Sequence, residues 1–194
     1  MQKTNRTQQD LYQAALVLFS QHGWLRVSIE DICAEAQTSR VTFYKYFRNK
    51  KDILKEILVD HKDRIRAGFT RLADQESTLE AIITGIYALQ KQALNSLYSP
   101  PMLHDMAHHK DPELTAFFKA LEADKYAFMA QFFHGLQQKK LINERFPVPL
   151  MNAYLQLIDQ MMHSPTVQAE YQDKLTQLPE DVLQLIIYGF APRD

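Results

Sequence analysis

The residues with the clearest chemical potential lie in the segment SRVTFYKYFRNK, residues 39–50. It holds hydroxyls, aromatic rings and basic side chains at close spacing. A guanidinium pairs with guanine edges or phosphates, hydroxyls and ammonium groups bind backbone oxygens, and a small apolar side chain contacts a thymine methyl. The segment therefore predicts a surface that binds duplex DNA.

Two short helices must hold that surface. Ser28 with Asp31 three residues later predicts a capped helix whose apolar stripe repeats at i, i+3, i+4 and i+7. Residues 37–39 break the stripe, and a third helix of about two turns follows over residues 40–46. Such a helix is too short to be stable alone, so it needs the support of its neighbours. Two helices joined by a three-residue turn form a helix-turn-helix, which places its second helix in a major groove.

The remaining chain also reads as helical. Only five glycines occur in 194 residues, and runs of alternating β-branched residues are scarce. Caps, apolar periodicity and prolines predict seven further helices. Three come first: one from a cap at Thr7 to a stop at Gly23, one from a cap at Asn49 to about residue 72, and one from Thr78 to the stop at Ser99-Pro100-Pro101. Four follow: a short one over 102–109, a long one from the cap at Asp111 to the break at 145–149, and two apolar ones over about 149–163 and 179–190.

Composition bounds the class of protein. A hydrophobic content of 46% with 23% charged residues is that of a globular protein able to bury a core. The apolar run at 11–19 is too short to span a bilayer, and the single Cys33 cannot form an intramolecular disulfide, so we expect a cytoplasmic protein without a membrane segment. The formal net charge of -1 hides a basic excess in residues 1–71 and an acidic excess in residues 72–194, which predicts a polyanion partner for the first part.

Residues 7–58 resemble the DNA-binding domain of the TetR family of bacterial transcriptional regulators. The resemblance rests on LYQAALVLFSQHGW, similar to the first helix of that domain, and on SIEDICAEAQTSRVTFYKYFRNKKDIL, similar to its helix-turn-helix and the start of the fourth helix. One departure is Gln37, where the family usually has glycine, and a left-handed backbone there would cost about 1 to 2 kcal/mol. The resemblance implies base contacts by Arg40, Val41 and Lys45. It implies contacts to phosphates or groove edges by Thr42, Tyr44, Tyr46 and Lys50, and the helix starts at Ser28 and Ser39 could offer backbone amides to phosphates.

The same resemblance implies an all-α fold with two functional domains. Residues 1–50 would form the three-helix DNA-binding domain, and residues 51–194 a helical ligand-binding and dimerisation domain, with the fourth helix connecting the two over about 50–72. The expected partners are a palindromic operator and a second copy of the chain, paired through the last two long helices. A small apolar or aromatic inducer is also expected. Aromatic and Met side chains are its candidate lining, although core packing is their default role: Tyr87, Phe117, Phe118, Tyr126, Met129, Phe133, Met161 and Met162.

Other interpretations remain open from the residues alone. Residues 28–47 could be a helical hairpin with a solvated face, and the chain could be a helical adaptor protein with an incidental basic N-terminus. A DNA-binding regulator controlled by a protein partner, or acting as an activator, is a further alternative. His104 and His108 at i, i+4 could bind zinc, but without a third ligand at clear spacing we expect no metal. The sequence shows no pattern typical of an enzyme, so neither catalysis nor a cofactor is expected.

Overall fold

A computed structural model describes residues 6–94, 97–162, 164–172 and 177–188. Most of these residues are helical, and none of them lies in a strand. The helices of the described chain are α1 (Arg6–His22), α2 (Ile29–Glu35), α3 (Arg40–Tyr46), α4 (Lys50–Gln75), α5 (Leu79–Leu94), α6 (Pro100–His108), α7 (Pro112–Gln138), α8 (Val148–Met162), α9 (Pro165–Glu170) and α10 (Leu178–Tyr188). No helix among them combines the length and apolar character needed to cross a membrane.

The chain divides into two compact units. The first, which we call the N-terminal unit, comprises Met1–Ile65 and Gln92–Phe117, so it contains α1–α3, the first part of α4, and α6. The second, which we call the C-terminal unit, comprises Arg66–Lys91 and Phe118–Asp194. These compact units follow packing, whereas the expected division into 1–50 and 51–194 is a functional one and stays a prediction.

The N-terminal unit has a core built from one face of each of its helices. α1 packs on α2, α3 and α6, and α2 packs on α3. Side chains from all these helices and from α4 are fully buried: Leu11, Phe19, Ile32, Phe43, Ile53, Leu54, Ile57 and Met102. This shared core supplies the support that a two-turn helix needs.

The turn between α2 and α3 closes without glycine. Gln37 adopts φ 50, in the left-handed region. Its N–H donates to the Ala34 carbonyl at 3.1 Å, and the Thr38 N–H donates to the Cys33 carbonyl at 2.9 Å. This pair of bonds is a Schellman closure, which satisfies the last carbonyls of α2. The left-handed backbone considered for Gln37 is therefore present, and two hydrogen bonds offset its cost.

The C-terminal unit contains the end of α4, most of α5 and α7, and all of α8 to α10. Phe69 on α4 packs against Phe128 and Phe132 on α7, with ring centroids 6.0 and 5.5 Å apart. Arg66 pairs with Asp124 at 2.9 Å, which also links α4 to α7. α8 packs against α9 and α10.

Most of the predicted helices are confirmed, including α3 at both ends. Five details of the prediction were wrong. α5 ends at Leu94, and residues 97 and 98 form a turn ahead of the predicted stop. α1 already includes Thr7, so that residue is not its cap, and α6 starts at Pro100 because proline is tolerated at the first helical positions. α7 ends at Gln138, ahead of the predicted break, because Lys140 (φ 58) closes a second Schellman motif. The six-residue α9 was missed, since it is too short to show periodicity.

Candidate DNA-binding site

α3 is anchored by one face and exposes the other. Phe43 is fully buried and Phe47, directly after the helix, is 3% exposed, with ring centroids 5.5 Å apart. On the opposite face Val41 is 71% and Tyr44 50% exposed, and Lys45 is also exposed. A Val this exposed gains nothing from the core of its own unit. The arrangement leaves the outer face of α3 free to contact another molecule.

Side-chain caps fix where α2 and α3 begin. The Ser39 hydroxyl accepts the Thr42 N–H at 3.1 Å and lies 2.9 Å from the Thr42 hydroxyl. The Ser28 hydroxyl accepts the Asp31 N–H at 3.1 Å, while the Ser28 N–H and hydroxyl donate to the Asp31 carboxylate at 2.8 and 2.7 Å. These bonds from Ser28 hold the pKa of Asp31 below its usual value. Because the Ser28 amide is already bound by a carboxylate, a phosphate would have to displace Asp31 to reach it.

Arg40 is held at the surface by an acidic neighbour. Its Nη1 lies 2.6 Å from Oε1 of Glu30 on α2, and both side chains are more than half exposed. A hydrogen bond with Tyr44 and the charge of Glu30 raise the pKa of Arg40. The guanidinium is therefore oriented on the exposed face, and it can exchange Glu30 for a base edge or a phosphate. Sequence reasoning missed Glu30, because the pair spans the turn and no short-range pattern marks it.

Lys50 has a role that the sequence did not predict. Its Nζ donates to the carbonyls of Val27 at 2.6 Å and Leu25 at 3.2 Å, and lies 5.6 Å from the centre of the Trp24 ring. Burial lowers the pKa of Lys50. An ammonium has three N–H donors, so one remains for a phosphate. The phosphate contact thus stays a prediction, beside an observed structural role.

The remaining members of the predicted DNA-binding set lie on α3 as well. Thr42 and Tyr46 are partly exposed at the margins of the free face. Together with Arg40, Val41, Tyr44 and Lys45 they place guanidinium, ammonium, hydroxyl and apolar groups on two turns of helix. Such a mixture can bind both phosphates and base edges.

The predicted ligand-lining residues fall in both compact units. Phe117 belongs to the N-terminal unit, and the other seven belong to the C-terminal unit. Two of them use their hydroxyls internally: Tyr126 donates to Asp159 at 2.7 Å, and Tyr87 donates to Glu180 at 3.1 Å. Their role in binding a ligand stays a prediction.

The paired histidines of α6 lie on its exposed side. The rings of His104 and His108 stack with centroids 4.2 Å apart, and the His108 Nδ1 lies 2.8 Å from the His104 carbonyl oxygen. Within the part of the chain that the structure describes, no group of three or more His, Cys, Asp or Glu side chains is suited to a metal ion.

The chain is similar to known bacterial regulators in part of its sequence and in its fold. Residues 11–57 match the family model of bacterial regulatory proteins of the tetR family. The HTH-type transcriptional regulator UidR of Escherichia coli K12 is 24% identical over 135 residues, which cover 69% of this chain and 67% of UidR.

Solved structures with the same fold include two proteins named FadR. The fatty acid degradation regulator FadR of Bacillus halodurans aligns with a TM-score of 0.69 and 17% identity, over 99% of this chain and all of that one. FadR of Bacillus subtilis, solved in complex with stearoyl-CoA, aligns with a TM-score of 0.64 and 17% identity over 94% of this chain and 99% of that one. The helix-turn-helix geometry and the family match agree on residues 11–57, which form a DNA-binding domain of the tetR family type, and the described chain shares its all-helical fold with regulators of that family.

Proposed function

We propose that the protein is a cytoplasmic, ligand-responsive repressor that binds a palindromic operator as a homodimer and is released by a small apolar ligand. Residues 1–50 form the DNA-binding domain in this proposal, and residues 51–194 bind the ligand and the second subunit. The observation that carries it is the free face of α3, with Arg40, Val41, Tyr44 and Lys45 opposite the buried Phe43.

The proposed dimer interface is supported by an apolar stripe on α8. Leu150, Tyr154 and Leu157 lie at i, i+4 and i+7, on one face of the helix, and are 54%, 49% and 60% exposed. A stripe of large apolar side chains on an exposed helix gains free energy when a second apolar surface covers it. A second copy of the same stripe on a two-fold axis would do so and would also bring two DNA-binding units to a palindrome.

An apolar ligand is supported by the aromatic and Met side chains of the C-terminal unit and by the fold shared with FadR, whose Bacillus subtilis form holds stearoyl-CoA. In our proposal the ligand lies against the candidate residues of the C-terminal unit: Tyr87, Phe118, Tyr126, Met129, Phe133, Met161 and Met162. Acyl-CoA compounds of different chain length are therefore suitable first probes.

The test of DNA reading uses a duplex that the wild-type protein selects from a random library. Arg40→Ala should relax the preference at one base position in each half-site, by about 1–3 kcal/mol, because it removes a base contact. Lys50→Ala should weaken all sequences about equally, since it removes no base contact. Arg71→Ala, which changes an exposed basic residue of the C-terminal unit, is the control for loss of one positive charge.

The outcomes separate the alternatives. If the wild-type protein selects no sequence, the DNA-binding proposal fails and an adaptor role is favoured. If Arg40→Ala weakens every sequence equally while Lys50→Ala changes base preference, the roles assigned here are reversed. If stearoyl-CoA, shorter acyl-CoA compounds and aromatic acids all leave the affinity for the selected duplex unchanged, the inducer proposal fails.

A further inference from the structure

The connection between α1 and α2 is held from two sides. It runs from Gly23 to Ser28 and delivers the capping residue of α2, so its conformation sets where α2 begins. Trp24 and Val27 are buried in the N-terminal unit, whereas Leu25 is 45% exposed. The backbone groups of such a partly buried connection need partners, because an unpaired buried N–H or C=O is costly.

A carboxylate from α6 holds the first side. Asp105 is 6% exposed, and its Oδ2 accepts the Leu25 N–H at 2.8 Å. Gly23 makes this approach possible: it adopts φ 78, and a Cβ there would come within 2.3 Å of that same oxygen. The absence of a side chain at Gly23 therefore leaves the space that the Asp105 carboxylate occupies, although the two residues are 82 positions apart in sequence.

The ammonium of Lys50 holds the second side through the Val27 and Leu25 carbonyls. Leu25 thus donates its N–H to a carboxylate and offers its carbonyl to an ammonium. Bonds to ionised partners are stronger than bonds between neutral groups. Asp105 and Asp31 both favour the charged form of Lys50, against the burial that lowers its pKa.

We propose that Asp105 is a positioning residue for DNA reading: by fixing the Gly23–Ser28 connection together with Lys50, it sets the placement of α2 and therefore of α3. The proposal rests on the proposed function, and it adds α6, which lies outside residues 1–50, to the elements that DNA binding requires. Asp105 itself touches no DNA.

Ser99→Ala provides a matched control. The Ser99 hydroxyl donates to the Ser20 carbonyl at 2.6 Å, so it too tethers the α6 region to α1, but its hydrogen-bond partner lies in α1 and not in the α1–α2 connection. Asp105→Ala and Ser99→Ala should both lower the melting temperature, by about 2–5 °C. Asp105→Asn keeps an oxygen that can accept the Leu25 N–H, so it tests whether hydrogen bonding alone restores the function.

The first measurement needs no DNA. Amide hydrogen exchange, followed at a temperature at which all variants are folded by circular dichroism, should become faster in Ile29–Glu35 and Arg40–Tyr46 for Asp105→Ala. Ser99→Ala should leave those two segments unchanged, and Asp105→Asn should lie between Asp105→Ala and the wild type. Equal exchange in Asp105→Ala and wild type, or the same acceleration in Ser99→Ala, would overturn the positioning role.

The second measurement is affinity for the duplex selected by the wild-type protein. Asp105→Ala should bind about tenfold more weakly, as expected for one lost hydrogen bond to a charged acceptor, with unchanged base preference, whereas Ser99→Ala should bind like the wild type. Wild-type affinity in a folded Asp105→Ala protein would contradict the proposal. If the wild type selects no duplex while Asp105→Ala still accelerates exchange, the proposed function fails and the positioning role stands.

Discussion

The exposed faces of α3 and α8 both present large apolar side chains, but in different surroundings. On α3, Val41 follows Arg40 and Tyr44 precedes Lys45, so apolar groups and positive charges share one small surface. On α8 the exposed stripe of Leu150, Tyr154 and Leu157 has no basic residue between its members. A mixed surface suits a polyanion that carries methyl groups in its groove, whereas a uniform apolar stripe suits another apolar stripe.

The exposure of an apolar side chain therefore does not by itself identify a partner. The charge that accompanies an exposed apolar group decides whether burial against DNA or against protein is favourable. In the proposed function both surfaces are needed, because two copies of the α3 surface would bind a two-fold operator together only if the α8 surface joined the two chains.

The largest expected effect comes from charging the α8 stripe. Leu150→Glu combined with Leu157→Glu should convert a dimer into a monomer and abolish operator binding, because four carboxylates would have to be buried in the proposed interface. Light scattering during size-exclusion chromatography gives the mass, and circular dichroism confirms folding. Gln156→Glu, at an exposed position of the same helix outside the stripe, is the control and should remain dimeric. A double variant that stays dimeric would show that this stripe is not the interface.

Salt concentration should affect DNA binding and dimerisation differently. Its effect on DNA binding should be smaller than that of the α8 substitutions but still large. Raising NaCl from about 50 to 200 mM should weaken operator binding on the order of 10³-fold, because released counterions no longer drive association as strongly. The apolar interface should be unaffected or slightly strengthened over the same range. Fluorescence anisotropy of a labelled operator measures the affinity for DNA, and sedimentation of the protein alone measures dimerisation. Salt-independent DNA binding would contradict the role given to Arg40 and Lys45.

The smallest effect should come from Glu30, the ion-pair partner of Arg40. Glu30→Gln removes a negative charge beside Arg40, so affinity for random duplexes should rise about two- to fivefold, in keeping with the modest energy of an exposed ion pair. Discrimination at the base read by Arg40 should fall, since the guanidinium is no longer oriented. Glu35→Gln, also exposed on α2, controls for charge alone. Identical behaviour of the two variants would show that the pair with Arg40 has no effect on recognition.

The parts of the fold that the sequence predicted are those controlled by neighbouring residues. The capping box at Ser28 and the cap at Ser39 act over three residues, so α2 and α3 were predicted at the right places. Apolar periodicity likewise located the buried faces, including that of Phe43.

The features of the fold that could not be predicted depend on residues distant in sequence or on unusual backbone dihedral angles. Lys140 ends α7 in a conformation that glycine usually adopts, so nothing in its residue type marks the stop. Lys50 carries the positive charge expected of a phosphate contact, and only the structure shows its carbonyl partners. Asp105 lies 80 residues from Leu25, and no local pattern connects them.

The hydrogen bond from Leu25 to Asp105 has a practical consequence for engineering chimeric regulators. A DNA-binding domain cut at residue 50 and fused to the ligand-binding domain of another protein would lack the Asp105 carboxylate. The other protein would then have to supply an equivalent acceptor for the Leu25 N–H. Fusions that transplant α6 along with α1–α3, or that restore an acidic residue opposite Gly23 in the recipient, should bind their operator more tightly than fusions without that carboxylate.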